Sequence, residues 1–268
     1  MYGKNQNVKE FNEVRLKELP GDLETIEAIN NHPFKDGYNP PEGKHGQVLH
    51  TPFMKKLCLK DNARVMLTYN IDVSDGLSNG TTGVARGFQK TENGEIKYIW
   101  VHFDEENAGA KLRQKHRSLK HPFGSENVTP IAKCSFQYQL GKSERHDSAK
   151  AKVIQFPLTL AFAYTIHKSQ GGTIRPPTAL VIDIDTIFAQ GQLYVALGRI
   201  QRLSQLFLQS QNSDDLRKLN AKIMTSQKTL KETRRIDNSA LNHPSSDAHD
   251  FWMTSDRKHV KIASLNIR

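Results

Sequence analysis

The run from Leu158 to Leu208 constrains this chain more than any other stretch. It opens with Leu158, Leu160, Ala161, Ala163 and Tyr164, and passes into Thr165-Ile166-His167-Lys168-Ser169-Gln170-Gly171. A second apolar segment, Ala179-Leu180-Val181-Ile182-Asp183-Ile184-Asp185, is rich in β-branched side chains, and Gln192-Leu193-Tyr194-Val195-Ala196-Leu197-Gly198-Arg199 follows. The spacing predicts a short apolar helix stopping in a polar loop, a strand buried on both faces, and a helix ending in arginine. Polar groups at the ends of alternating helices and strands are the layout of an open α/β lobe, where ligands gather at those ends.

The order of these residues resembles motifs V and VI of the Pif-type superfamily-1B DNA helicases, whose patterns read roughly T-[IV]-H-K-S-Q-G and Q-x-Y-V-A-L-S-R. Thr165 to Gly171 matches the first at all seven positions. Gln192 to Arg199 matches the second at seven of eight, with Gly198 where the family has serine. A third block, Ala63 to Asp72 followed by Gly76-Leu77-Ser78-Asn79-Gly80-Thr81-Thr82-Gly83, resembles the family's A-x-V-M-L-x-x-N-x-D…G-L-x-N-G-T-x-G signature. Asn5, Val8, Asn12 and Leu16 match a fourth pattern that follows motif IV, without the strand that should precede it. Met1 is therefore expected to fall inside a lobe, just after its first strand.

The resemblance implies an α/β fold, the second RecA-like lobe of the motor with an inserted SH3-like β-barrel. The expected domains are 1–82 for the first part of the lobe, 83–155 for the barrel and 156–210 for the return of the lobe. A helix and linker over 211–259 and a final segment, 260–268, complete the chain. That segment, Lys261-Ile262-Ala263-Ser264-Leu265-Asn266-Ile267-Arg268, resembles the opening strand of apurinic-type endonuclease domains; its alternative is an edge strand or tail. Helentrons, a rolling-circle transposon lineage, join such an endonuclease to a Pif-type helicase.

By the same resemblance Arg199 is an arginine finger, the catalytic group reaching the γ-phosphate of ATP from this lobe. Gln170, Gly171 and Gln192 belong with Arg199 on the nucleotide side. Thr165, His167, Lys168 and Ser169 offer donors to the phosphates of single-stranded DNA, and Asn70, Asn79 and Gly80, with Tyr69, line the strand channel. Other readings of the residues stand beside these: Arg199 pairing with its helix dipole, and His167 as a satisfied core group. The missing serine at Gly198 removes a hydroxyl that would orient the finger.

In this family ATP and Mg²⁺ are bound mainly by a first RecA-like lobe, a partner to the lobe seen here. A search for G-x-x-x-x-G-K-[ST] meets only Gly141-Lys142-Ser143, with Phe136 where the leading glycine belongs. Asp183 and Asp185 lie on a strand leading into motif VI and read as strand-end groups. The chain alone is expected not to hydrolyse ATP. The competing class is a non-enzymatic single-strand-binding module, or a decayed transposon fragment.

Charge agrees with a nucleic-acid partner. The 268 residues carry 38 Lys/Arg against 28 Asp/Glu, a net charge of +10. Between Lys111 and Lys152 ten basic residues face three acids, which concentrates +7 in one segment. Lysine-collecting surface loops are the plain alternative. Cys58 and Cys134 lie too far apart in sequence for a disulfide framework or a zinc ribbon, and no metal site is expected. No apolar run reaches the roughly 18 residues of a membrane span. The expectation is an intracellular, nuclear protein.

Elsewhere the pattern predicts an amphipathic helix over Asn7–Leu19 stopped by Pro20-Gly21, an irregular polar loop over 22–50, and strands at 57–60 and 64–71 joined by an Asp61-Asn62 turn. Further strands are predicted at 84–88, 98–103, 131–138 and 153–156. Phe136, Tyr138 and Trp100 are candidates to stack on bases or, alternatively, to fill the barrel core. Ser213 reads as the N-cap of a later helix.

Overall fold

A computed structural model describes residues 1–31, 39–43, 46–119, 127–139, 150–170, 172–189 and 191–210. The expected Ser213 helix, the linker, the 260–268 segment, the Gly141-Lys142-Ser143 run and Gly171 lie outside these residues. The chain divides into two compact units: Asn5–Ala163, and Met1–Lys4 together with the chain from Tyr164 onward. The borders expected at 82/83 and 155/156 both fall inside the first unit.

The larger unit begins with α1, Asn5–Glu18. Asn12 and Leu16, four residues apart on one face, are its buried positions, and Pro20 with Gly21 at φ +90° ends the turn. The stretch expected to be a loop instead holds two strands, β1 (Glu24–Glu27) and β2 (Ile29–Asn31). Their apolar content is too short and polar-flanked to register as periodicity; pairing partners far along the chain create them. β1 pairs antiparallel with β3 (Lys56–Leu59), placing Ile26 opposite Leu57. Asn62, at φ +62°, turns the chain from β3 into β4 (Arg64–Leu67). β5 (Thr82–Lys90) and β6 (Ile96–Phe103) form a hairpin whose turn holds Gly94 at φ +80°. A short helix, α2 (Ala110–Lys115), precedes β7 (Thr129–Ile131), β8 (Cys134–Gln139), β9 (Lys150–Gln155) and β10 (Leu158–Leu160).

The strands form a five-stranded sheet in the order β10-β4-β5-β6-β7 and a three-stranded sheet in the order β2-β9-β8, besides the β1-β3 pair. Leu57, Leu59, Val65, Leu67, Leu77, Ala85, Ile99, Val101, Ile131, Phe156 and Leu158 make the main core. Period-two burial is visible along β5, where Gly83, Ala85 and Gly87 point inward.

Two expectations change here, and a third, the closed barrel, is not seen among the described residues. The apolar run at Leu158 is not a helix: Leu158 and Leu160 stand opposite Leu67 and Val65 as an edge strand, because a run this short takes whichever period its neighbours offer. The strand expected over 131–138 breaks into β7 and β8, which belong to different sheets. No closed barrel forms among the described residues. β5, β6 and β7, assigned to an insert, share one open sheet with β4 and β10, and alternation within each strand carries no information about which sheet it joins.

The smaller unit is a strand–helix–strand crossover. β11 (Leu180–Asp183) leads to α3 (Gln192–Leu197), and β12 (Leu206–Gln209) returns parallel to β11. Ile166, Leu180, Ile182, Ile184, Ile187, Leu193 and Ala196 are its core. Among the described residues β11 is covered on one face only: Leu180 and Ile182 are 3% and 0% exposed, but Val181 between them is 45% exposed. Doubly buried strands need neighbours on both faces, and this two-stranded sheet supplies one. No helix among the described residues is long and apolar enough to cross a membrane.

Candidate nucleotide and nucleic-acid site

The Thr165–Gln170 segment folds as a capped 3₁₀ turn over Ile166–Ser169. Thr165 is extended, and its Oγ1 accepts the N–H of Lys168 at 3.4 Å. Ser169 Oγ donates to the carbonyl of Ile166 at 2.6 Å. Both hydroxyl residues are buried, and Ile166 between them is driven into the core at 1% exposed. Tyr2 runs beside the entry, its carbonyl accepting Ile166 N–H at 3.1 Å. Of the four donors expected to meet DNA, Thr165 and Ser169 are thus committed to shaping the turn.

His167, Lys168 and Gln170 point outward. Their side chains make no hydrogen bond or ion pair with other described residues. Lys168 is an exposed residue, yet nearby protein partly desolvates its ammonium and lowers its pKa from the ordinary 10.5. A partially desolvated cation without a counter-ion is predisposed to accept an anion.

The second motif is tied to the first through backbone groups. Gly191, at φ +78°, precedes α3, and Gln192 at its start is buried. Gln192 Oε1 accepts the N–H groups of Phe188 and Ala189 at 3.2 and 3.4 Å, holding the loop after β11, while its Nε2 is buried without a partner among the described residues. Arg199 lies just past the helix cap. Its Nε donates to Val195 O at 3.0 Å and its Nη1 to Gly172 O at 3.2 Å. The Arg199 carbonyl in turn accepts Ile174 N–H at 2.6 Å. The guanidinium therefore sits on the segment leaving the 3₁₀ turn, with Nη2 left without a partner among the described residues. Gly198 has ordinary helical angles, φ −69° and ψ 0°, and a Cβ there would meet nothing closer than 3.5 Å.

Sequence reading missed the group that locks this arrangement. Gln205, 5% exposed, donates through Nε2 to Ile174 O and Thr178 O at 3.1 and 2.8 Å. Its Oε1 accepts Gln201 N–H and Arg202 N–H at 3.2 and 2.9 Å. One buried amide thus satisfies four backbone groups of two loops, and a single glutamine between Ser204 and Leu206 carries no pattern that reveals it.

Asn70, Asn79 and Gly80 belong to the larger unit. Asn70 Oδ1 accepts the Asn79 N–H at 2.7 Å, and Gly80, at φ +96°, donates to Leu67 O at 2.9 Å. The two asparagines are exposed at the tip between β4 and β5. Tyr69 is instead packed edge-on against Phe53 and Phe136, ring centroids 5.8 and 6.1 Å away. Trp100 is 3% exposed. The aromatic residues considered for base stacking thus fill core positions, with Phe136 and Tyr138 half-buried in the same cluster. Asn12 was a motif match without a role; its Oδ1 accepts Ala163 N–H at 2.7 Å and its Nδ2 donates to Ala163 O at 3.0 Å, fixing the chain immediately before the 3₁₀ turn.

No family model matches the chain. Among curated proteins, the ATP-dependent DNA helicase PIF1 of Rattus norvegicus is 32% identical over 197 residues, 73% of this chain and 24% of the rat protein. The Pif1 helicase of Psychrobacter is 30% identical over 245 residues, 81% of this chain and 34% of its own length. The chain is a Pif1-like helicase sequence. It spans roughly a quarter to a third of these relatives. The Pif1-like chain also shares its fold with Pif1 from Candida albicans, at 25% identity and a TM-score of 0.59, covering 88% of this chain and 48% of that one. A Bacteroides Pif1 bound to single-stranded DNA aligns over 89% of this chain and 45% of its own with a TM-score of 0.55 at 21% identity.

Proposed function

We propose that this Pif1-like chain is the C-terminal motor portion of an ATP-dependent 5′–3′ DNA helicase, a second RecA-like lobe supplying single-strand contacts and an arginine finger. The observation that carries the reading is the bond from the second motif to the segment that directly follows the first, Arg199 Nη1 to Gly172 O, reinforced by Ile174 N–H to Arg199 O. A finger that reads the state of the nucleotide is thereby linked to the turn that presents His167 and Lys168 to a phosphate backbone. Movement of Arg199 toward a γ-phosphate must break or carry along the Gly172 contact, and this transmits nucleotide state to the DNA-facing turn.

The residues fit the nucleotide in this role. Arg199 has one free donor edge, and its remaining bonds are to neutral carbonyls rather than to a carboxylate, so no competing ion pair has to be broken. ATP supplies the phosphoryl group and Mg²⁺ the neutralising charge, both held mainly by the partner first lobe; among the described residues no three His, Cys, Asp or Glu converge. Gln192 positions the loop before α3, and Gln170, at the end of the turn, belongs to the nucleotide side. Thr165 and Ser169 hold the turn's shape, and His167 and Lys168 make the DNA contact. Asn70, Asn79 and Gly80, in the larger unit, are further candidate single-strand contacts.

The test is Arg199→Ala in a protein that also carries a first lobe. DNA-stimulated ATP hydrolysis falls by about 10³-fold or more, with single-strand affinity retained; undiminished hydrolysis sinks the finger. The second reading, a binding module without motor function, is favoured by one observation, that two of the finger's nitrogens already bond to its own unit. It is distinguished by salt-sensitive DNA binding that ATP analogues leave unchanged.

A further inference from the structure

Helix α2 has six residues, too few to be stable by itself, yet three separate devices hold it. At its start the buried Asp75, 5% exposed, accepts the N–H groups of Lys111 and Leu112 at 2.8 and 3.0 Å, and the Asp75 carbonyl accepts Gly109 N–H. Beneath it, Arg113 donates to Ala108 O, Thr129 Oγ1 and Glu106 O at 2.7 to 3.0 Å. At its end the His116 ring meets the edge of Tyr98 on β6, centroids 5.8 Å apart. Lys97 Nζ lies over the same Tyr98 ring at 5.6 Å.

The result is a fixed surface on which Lys97, Lys111, Lys115 and Arg117 are all exposed. Lys111 and Lys115, four residues apart, share one helix face. Lys111 also reaches Ser74 Oγ at 2.9 Å, and through it faces Asp72, which accepts the Ser74 hydroxyl at 2.6 Å, so this member of the patch has an acid nearby. None of the three ion pairs among the described residues, Arg15–Glu18, Arg64–Asp104 and Lys90–Glu24, uses any of these four cations. Glu95 precedes β6, and Glu105 and Glu106 precede the helix; otherwise the segment from Ile96 to Leu119 carries only Asp104, which is engaged by Arg64. A buried acid and a buttressing arginine are used to hold a short basic helix rigid, and rigidity matters where cations must meet a repeating anion.

We propose that Lys97, Lys111, Lys115, His116 and Arg117, organised around Tyr98, form a second nucleic-acid contact that grips the phosphate backbone independently of the Lys168 turn. Asp75 is its positioning residue. The proposal rests on the reading that the chain binds single-stranded DNA, and it names a surface in the larger unit that the motif residues do not include.

The experiment measures binding of a fluorescent oligothymidine to the full chain against salt concentration. The Lys115→Glu/Arg117→Glu variant loses at least tenfold in affinity at low salt, and the log–log salt slope flattens by about 1.4, two single-strand phosphate contacts. A control of equal charge change, Lys9→Glu/Lys17→Glu on the exposed face of α1, stays within twofold. Equal loss in the control, or no loss in the patch variant, overturns the proposal. Lys168→Ala separates it from the motif reading: loss there with an unaffected patch variant leaves that reading standing and the patch refuted, the reverse refutes the Lys168 contact alone, and no binding by the unaltered chain refutes both. Should charge reversal lower the melting midpoint, Lys115→Gln/Arg117→Gln gives the same decision with a loss of about threefold or more.

Discussion

The two units of this molecule reach order by different means. In Asn5–Ala163 it comes from antiparallel ladders and a broad apolar core in which Leu59, Val65, Leu67, Leu77, Ala85, Ile99, Val101, Ile131 and Leu158 are wholly buried. Among its described residues the smaller unit has a two-stranded parallel sheet and a core of eight buried apolar side chains, and its loops are held by polar side chains bonded to backbone: Gln205 to four groups, Gln192 to two, Thr165 and Ser169 across one turn, where the larger unit adds the same device, at Asn12, Asp75 and Gln155, to its ladders. A wide core resists distortion collectively. Polar clamps are local and can release one at a time, which suits the unit carrying Arg199 and Lys168. The difference teaches that the site's precision depends on a few amides more than on packing.

Substitutions can break that contrast at either end. Ile99→Ala removes a fully buried side chain from the large core and costs about 2–5 kcal/mol; urea unfolding should show the loss, with amide exchange accelerating across Asn5–Ala163. A cost under about 1 kcal/mol would mean the core collapses onto the cavity and is less specific than the burial implies. Gln205→Ala leaves buried backbone groups of two loops unpaired and costs about 1–3 kcal/mol. Exchange should rise at Ile174, Gln201 and Arg202 while the larger unit keeps its protection; uniform acceleration would erase the distinction between the two modes of ordering.

A smaller effect concerns pH. Desolvation lowers the Lys168 pKa in the free protein, so a bound phosphate must raise it again and DNA binding takes up a proton. If Lys168 makes the proposed phosphate contact, affinity therefore falls as pH rises through that lowered pKa, below the ordinary 10.5 of lysine. Lys168→Arg should remove the fall, whereas a decline persisting in that variant would assign it to another group. The same shift affects stability: the unfolded chain binds the proton more tightly, so the turn's contribution rises with pH between the lowered and ordinary values. Smallest of all, Gly198→Ser should change stability by no more than about 0.5 kcal/mol, since the angles are helical and a Cβ has room. A melting shift of several degrees would show that glycine is required there.

Legibility followed the range of the interactions. α1, β11 and α3 were readable because each carries its own period or composition, and the motif residues were readable because their order along the chain is itself the signal. The same sequence could not assign Leu158–Leu160, whose period is set by pairing with Val65 and Leu67 nearly a hundred residues earlier, nor β1 and β2, which exist through β3 and β9. Thr165 and Ser169 were singled out by position as donors to DNA phosphates, and only the folded turn shows their hydroxyls facing inward.

What the sequence by itself determined is the family and the positions of its motifs, since both are linear patterns of residue type. What only the tertiary structure decided is which of those residues are available for chemistry. Arg199 meets Gly172, Asn12 meets Ala163 and Asp75 meets Lys111 through hydrogen bonds between atoms distant in the chain, and such bonds depend on where the backbone passes rather than on which residues stand next to one another.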